Sequence, residues 1–238
     1  MSLTTRLMPY DVYERHVVTG QLLRTVIETQ ADNSCILDVG GRIELLEQFL
    51  PYRVVSINTD PTGHLVGSGL ALPFASGAFD AVVNIDTLEH LPAASRPAFL
   101  QECVRVARRC VVIAAPFGSE GHIAHEKQLD QLYQTVHGRP HPYLREHIQY
   151  VLPGVAELDG LVSALEPALA GVQRYFAGDY LWQGQSFARA IRAFEQPRWL
   201  ARFTNLYNYL ASMALLHPVR LHPHPYPAAN RFYLLLRK

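Results

Sequence analysis

Two periodicities alternate along the first half of the chain. Val12, His16, Thr19, Leu22, Leu23, Val26 and Ile27 recur at helical spacing and predict a helix over residues 11–30. Residues 35–39 then form a short apolar run, the pattern of a strand covered on both faces. Ile43, Leu45, Leu46, Phe49 and Leu50 return to helical spacing, and Pro51 stops that predicted helix. Residues 53–57 predict a second strand, and Leu65 with Val66 a very short third. Residues 79–85 are near-continuously apolar and predict a fourth. A helix is expected at 95–108, capped by Ser95, and a fifth strand at 110–115, ended by Pro116. Strand and helix alternating in this way predict an α/β protein with a parallel, doubly wound sheet.

The second half is less regular. His122, His125, His137, His141 and His147 crowd residues 116–153, together with Pro140, Pro142 and Pro153. A helix is expected at 154–169, a strand at 173–177 and an amphipathic helix at 198–216, with Leu200, Phe203, Leu206, Leu210 and Met213 on one face. A loop rich in proline and histidine, 217–227, leads to a closing strand at 231–237. The expected architecture is a single domain, 1–238, with a Rossmann-like, doubly wound, mostly parallel seven-stranded sheet and an antiparallel closing strand. Its core spans about 11–117 plus 154–238. Residues 118–153 are not required by that core and are read, with the helix at 198–216, as an inserted helical lid over a pocket. Tyr143, Tyr180 and Trp182 would be its walls. Trp182 and the 198–216 face fit equally a role in the core or in a homodimer contact.

Composition narrows the function classes. Hydrophobic residues make up 49% of the 238, so a sizeable core is expected. Lys+Arg and Asp+Glu both number 21, which removes the overall electrostatic case for nucleic acid or an anionic membrane. Arg105, Arg108 and Arg109 read as solvated surface at a helix end. The cysteines Cys35, Cys103 and Cys110 match neither a metal spacing nor an even disulfide set, which suits a reducing compartment. Residues 1–10 lack a signal-peptide pattern, and no run reaches the roughly 18 apolar residues of a membrane span. A cytoplasmic location is expected.

Four motifs carry the chemistry. The first is Leu37-Asp38-Val39-Gly40-Gly41, an apolar strand that ends in an acid and two glycines. The second is Val54-Val55-Ser56-Ile57-Asn58-Thr59-Asp60. The third runs from Leu70 through Leu72-Pro73-Phe74 to Phe79-Asp80, and the fourth is Ile85-Asp86-Thr87-Leu88-Glu89-His90-Leu91. In this order they resemble the class I S-adenosylmethionine-dependent methyltransferases of the type 11 kind, over about residues 34–117. The resemblance implies S-adenosylmethionine as cofactor, held at the carboxyl ends of the strands. It implies contacts from Asp38, Gly40, Gly41 and Arg42, and from Ile85, Asp86 and Thr87, with Asp38 and Asp86 as acceptors for the cationic methionine end. Asn58 or Asp60 would meet the ribose, and Ser68, Gly69 and Leu70 the adenine.

The chain departs from the family pattern at Arg42 and Glu44, where further glycines are expected, at Asn58, where a carboxylate is usual, and at Ser68. Arg42 either faces the cofactor carboxylate or pairs with Glu44 or Glu47. Asp38 has a plainer compatible role as N-cap of a helix over 43–50, and residues 60–63 read equally as a turn. The implied reaction is methyl transfer to a small-molecule or glycan acceptor, at oxygen, with His90, His122 and His125 as candidate general bases. The altered loop leaves open a decayed methyltransferase fold with a scaffolding or regulatory role. A nicotinamide-dependent oxidoreductase is the weakest reading, because the three-glycine fingerprint is absent. No metal is expected: His122 and His125 lack the metalloprotease spacing, and His217, His222 and His224 alternate with prolines in a loop.

Overall fold

The computed structural model describes residues 3–27 and 34–238. Seven strands form one sheet: β1 (Cys35–Val39), β2 (Arg53–Asn58), β3 (Leu65–Val66), β4 (Phe79–Ile85), β5 (Ala107–Pro116), β6 (Gly171–Ala177) and β7 (Arg231–Arg237). Their order is β3-β2-β1-β4-β5-β7-β6. The first five pair in parallel, and β7 runs antiparallel between β5 and β6. The chain leaves β1 toward β2 and β3, then returns to β4 on the other side of β1. Such a reversal opens a crevice at the carboxyl ends of β1 and β4.

Strand alternation divides the core into two layers. Leu37, Val39, Val82, Val111, Ile113 and Leu234 face one cluster, shared with Phe99 and Leu100 of α3 (Arg96–Val106) and Leu158 and Leu161 of α6 (Val155–Leu165). Ile36, Val54, Val83, Val112 and Leu235 face the other, shared with Val17, Val18, Leu22 and Leu23 of α2 (Tyr10–Arg24). Neighbouring residues on one strand therefore feed opposite layers, as a sheet covered on both faces requires. A four-residue helix, α1 (Leu3–Arg6), precedes α2. The helix expected at 11–30 ends at Arg24, with residues 28–30 outside the described part.

The helix expected at 43–50 does not form. Glu44 adopts φ +64°, a left-handed conformation that an α-helix cannot pass through. Ile43 N–H donates to the Thr62 carbonyl across the loop, and only a 3-10 turn at Leu46–Gln48 remains. Leu46, Phe49 and Leu50 are buried nonetheless, so their spacing recorded burial rather than a helix. With no helix there, the N-cap role of Asp38 also falls. Ser95 precedes α3 but its side chain makes no cap bond.

The 118–153 segment, which lacks a clear period in sequence, is helical over most of its length: α4 (Glu120–His137) and α5 (Pro142–Tyr150). Ser119 caps α4 and Gly138 closes it at φ +72°. A helix with no counterpart in the sequence reading, α7 (Tyr180–Ala193), follows β6 and is capped by Asp179. The last helix, α8 (Arg198–Ala211), turns Asn205, Asn208 and Tyr209 toward α4 and α7, and leaves Trp199, Phe203, Leu206 and Leu210 exposed. Its apolar face points outward.

The basic residues near the start of β5 are tied internally. Arg105 bonds Glu102 and the Leu72 and Phe74 carbonyls, while Arg108 and Arg109 lie 3.4 and 3.8 Å from Asp80. The Leu72-Pro73-Phe74 and Phe79-Asp80 motif thus holds a loop to α3 and the sheet, with Phe74 and Phe79 packed edge to face at 4.9 Å. Among the described residues no helix is long and apolar enough to cross a membrane.

Candidate active site

The crevice at β1 and β4 is built around two glycines. Gly40 sits at φ +84°, and a β-carbon there would strike the Thr87 hydroxyl. A β-carbon on Gly41 would strike the Asp38 carboxylate. The loop is therefore pressed against both Asp38 and the end of β4. Its amide is fixed by a 2.7 Å bond from Gly40 N–H to the Ile57 carbonyl. Asn84, fully buried on β4, donates to the Val39 carbonyl at 2.7 Å and closes the seam between the two strands.

Asp38 is 3% exposed and its Oδ1 has no hydrogen-bond partner. Burial pushes its carboxyl up to about 7, with Glu47 adding repulsion. A buried carboxylate oxygen with no donor is costly unless a cation or donor meets it. The ammonium of a methionine moiety supplies both, and the glycine cradle admits a ligand without side-chain obstruction. The donor set here fits S-adenosylmethionine.

The other predicted contacts spread along the same edge. Asn58 is committed to its own turn: Nδ2 donates to Thr62 Oγ1 at 3.0 Å and Oδ1 accepts from Thr59 N–H at 2.8 Å. Asp60 Oδ1 accepts from the Thr62 amide and hydroxyl, which hold its carboxyl below the usual range, while Oδ2 takes no part in those bonds. Ser68 Oγ accepts from Leu70 N–H at 3.2 Å. Gly69 packs so tightly on Phe99 and Val39 that a β-carbon would not fit. Arg42 is exposed; it forms no ion pair with Glu44 or Glu47, and its charge acts on Asp60. Thr87 Oγ1 lies 3.5 Å from both the Val39 and Ile85 carbonyls.

Asp86 has a crowded setting that the sequence did not announce. It adopts φ +52° and pairs with Arg231 and, at 2.7 Å, with Arg15 of α2. Burial alone would raise its carboxyl, but the two guanidinium groups outweigh this and hold it below the usual range. Beside this trio Glu14 is buried and accepts from the Tyr233 hydroxyl at 2.9 Å. Arg15, Arg231 and Glu14 carry no motif; only the fold brings α2 and the start of β7 to the end of β4.

The three candidate bases separate in space. His122 and His125, on α4, line a cavity of about 600 Å³ enclosed by α2, α4, α7 and α8. Tyr10, Tyr180, Trp182 and Phe187 supply its aromatic walls, and Gln183, Asn205, Asn208 and Asn230 its neutral polar groups. Tyr180 and Trp182 are walls as expected; Tyr143 is instead 57% exposed, against His90 and His141. His122 Nδ1 lies 2.8 Å from the Phe117 carbonyl, so that nitrogen carries the proton and Nε2 keeps its lone pair. The ring stacks on Tyr180 at 4.8 Å, and burial lowers its pKa against the pull of Glu126. His125 Nε2 is buried against Gly184 with no hydrogen-bond partner. His90 lies outside the cavity lining, its Nδ1 2.7 Å from Glu146.

Residues 40–114 match a family model described as a methyltransferase domain. A proposed sarcosine dimethylglycine methyltransferase from Galdieria sulphuraria shares 13% identity, covering 94% of this chain and 84% of its own, at a TM-score of 0.53. A proposed methyltransferase from an antibiotic biosynthesis pathway of Anabaena variabilis shares 12%, covering 93% and 98%, also at 0.53. Phosphoethanolamine N-methyltransferase 2 of Haemonchus contortus, in complex with phosphomonomethylethanolamine and S-adenosylhomocysteine, shares 11%, covering 92% and 52%, at 0.52. A search of curated proteins finds no match. The family match lies on the glycine loop and the strands that flank it, and the similar structures share the sheet. Residues 40–114 therefore match a methyltransferase domain, and the chain shares the fold of the similar methyltransferase structures.

Proposed function

We propose that the acceptor is a hydroxyl-bearing small molecule or glycan, methylated at oxygen in the cavity between α4, α7 and α8. The observation that carries this is the lining. Aromatic faces beside side-chain amides, with Asp11 and Glu126 as the charged groups of the lining, suit a polyhydroxylated ligand that stacks and exchanges hydrogen bonds. The 600 Å³ volume lies in the range of small-molecule sites.

In this reading Asp38 receives the cofactor ammonium, and Gly40 and Gly41 give its methionine end access to the backbone. The guanidinium groups of Arg15 and Arg231, which pair with Asp86 and, for Arg15, with Asp11, suit the cofactor carboxylate. Asp60, with an oxygen to spare, meets the ribose in place of Asn58, and the backbone at 68–70 meets the adenine. The cofactor, when bound, supplies a methyl group on a sulfonium centre. His122 is the residue assigned to the acceptor proton: its Nδ1–H is anchored, its Nε2 carries the lone pair 3.7 Å from Glu126, and burial lowers its pKa. His125 lies one helical turn away and orients the acceptor. The aromatic walls keep water from the transferred group.

A screen of hydroxylated small molecules and glycans for release of S-adenosylhomocysteine tests the acceptor class. His122→Asn should lower kcat about 100-fold for a true acceptor while leaving cofactor affinity unchanged. Turnover confined to amines, or unaltered by that substitution, contradicts the assignment. The outward apolar face of α8 supports pairing with a second copy, and Phe203→Glu should then convert a dimer to a monomer in light scattering. A wild-type monomer at high concentration would refute this.

A further inference from the structure

We propose a divalent metal site formed by Glu89, His90 and His147, beside the cavity and independent of the cofactor cradle. Each residue offers one donor atom, and the three atoms lie within 4.8 Å of one another. Glu89 and His90 stand on a 3-10 turn, Leu88–His90, directly after β4, and His147 on α5. His147 lies far in sequence from the adjacent Glu89 and His90, so no spacing could reveal the set.

Two features go beyond proximity. Glu89 is 1% exposed and its Oε2 has no hydrogen-bond partner, so a buried acceptor is aimed at nothing the chain supplies. Both imidazoles are also held in the same sense. His90 Nδ1 lies 2.7 Å from Glu146, and His147 Nδ1 lies 2.9 Å from Glu126. A carboxylate on Nδ1 fixes the proton there and leaves Nε2 as the ligating lone pair. This carboxylate–histidine pairing orients and strengthens metal-binding rings. His90 Nε2 faces Glu89 at 3.9 Å, and the two rings stand 5.1 Å apart.

The frame around the cluster is rigid. Arg96, with its side chain fully buried, donates to the carbonyls of Leu88 and Leu91 on one side and of Tyr150 and Val151 on the other, and pairs with Glu157 at 2.7 Å. It thereby ties the turn that carries Glu89 and His90 to the end of the helix that carries His147.

Two imidazoles and one carboxylate select a borderline ion of the first transition row, such as Zn²⁺ or Co²⁺, over Mg²⁺ or Ca²⁺, which prefer oxygen ligands. Three protein ligands leave a position for water or an acceptor oxygen. Glu126, which holds His147, also lines the cavity.

Titration of the untagged full chain with Co²⁺, in the absence of cofactor, tests the site. The expected result is saturable binding of a single ion with visible d–d absorption, displaced by Zn²⁺ and not by Mg²⁺. Glu89→Gln and His147→Asn should each weaken binding more than tenfold, and Glu126→Gln by about 10–100-fold. His224→Asn, in the exposed loop, should leave it unchanged. Circular dichroism of each variant checks that the fold persists, and His147→Asn alone decides if Glu89→Gln does not fold. Absence of saturable binding, or binding indifferent to His147→Asn, overturns the proposal. Because no cofactor is present, failure here leaves the methyl-transfer reading untouched.

Discussion

The two ends of the crevice are made in different ways. On the β1–β2 side, the polar groups belong to contiguous motifs and are engaged locally: Asn58, Asp60 and Thr62 bond one another within a few residues. On the β4–β5–β7 side, nearly every polar group is engaged by a residue far away in sequence. Asp86 meets Arg15 and Arg231, His147 meets Glu126, and Arg96 reaches Tyr150, Val151 and Glu157. Local engagement builds a cradle whose shape depends on backbone conformation. Distant engagement builds a wall whose shape depends on the whole fold, so a single substitution there should cost stability as well as activity.

The largest expected effect tests that contrast at Arg96. Arg96→Leu strips the carbonyls of Leu88, Leu91, Tyr150 and Val151 of a donor and leaves Glu157 without its partner. Removing one member of such a buried network costs about 3 kcal/mol or more. For a chain of this size that is a fall in Tm of roughly 6–12 °C. Calorimetric or fluorescence melting reads it, and a change within about 1 °C would show that the wall stands without its clamp.

The smallest expected effect lies on the local side, at Glu44. Its left-handed backbone occupies the position where the family pattern has glycine, and a non-glycine residue there carries about 1–2 kcal/mol of strain. Glu44→Gly relieves that strain but adds freedom to the unfolded chain, so a net gain of about 0.5–1 kcal/mol is expected. A rise in Tm of about 1–4 °C checks it. A fall would mean that the Glu44 side chain contributes to the loop.

The same contrast explains what was legible in the sequence. The seven strands and the parallel run of the first five follow from short apolar runs bounded by turn residues, a local signal, whereas the antiparallel direction of Arg231–Arg237 is set by pairing with β5 and β6. The glycine cradle was legible too, because Gly40 and Gly41 announce a tight turn at a strand end. The helix expected at 43–50 failed because burial on one side of a loop can imitate helical spacing, and nothing local marks Glu44 as left-handed. The lid was expected to be helical, but the bounds of α4 and α5 were masked by prolines and histidines, although Ser119 and Gly138 were there to cap the first. Asp86, Glu89 and His90 stand in the fourth motif, but their partners Arg15, Arg231 and His147 had no local signature. These groupings exist only once α2, α5 and β7 reach the end of β4.

In the function proposed above, the cradle holds the cofactor through the ionised carboxylate of Asp38. Calorimetry of S-adenosylhomocysteine binding, for wild type and Asp38→Asn from pH 5 to pH 8, tests it directly. Burial raises Asp38 to about 7 from an unfolded value near 3.8. Between those values the ligand-free folded chain keeps a proton that the unfolded chain has lost, so this group's contribution to stability falls as pH rises through that window. An ammonium ligand needs the ionised form, so wild-type affinity should rise with pH up to about 7 and level off above it, with proton release on binding below that point. At pH 8 Asp38→Asn should weaken binding by roughly 10–100-fold, the loss of a charged hydrogen bond, and flatten the pH profile. Equal affinity in both proteins, or a wild-type affinity that does not change with pH, would contradict the account.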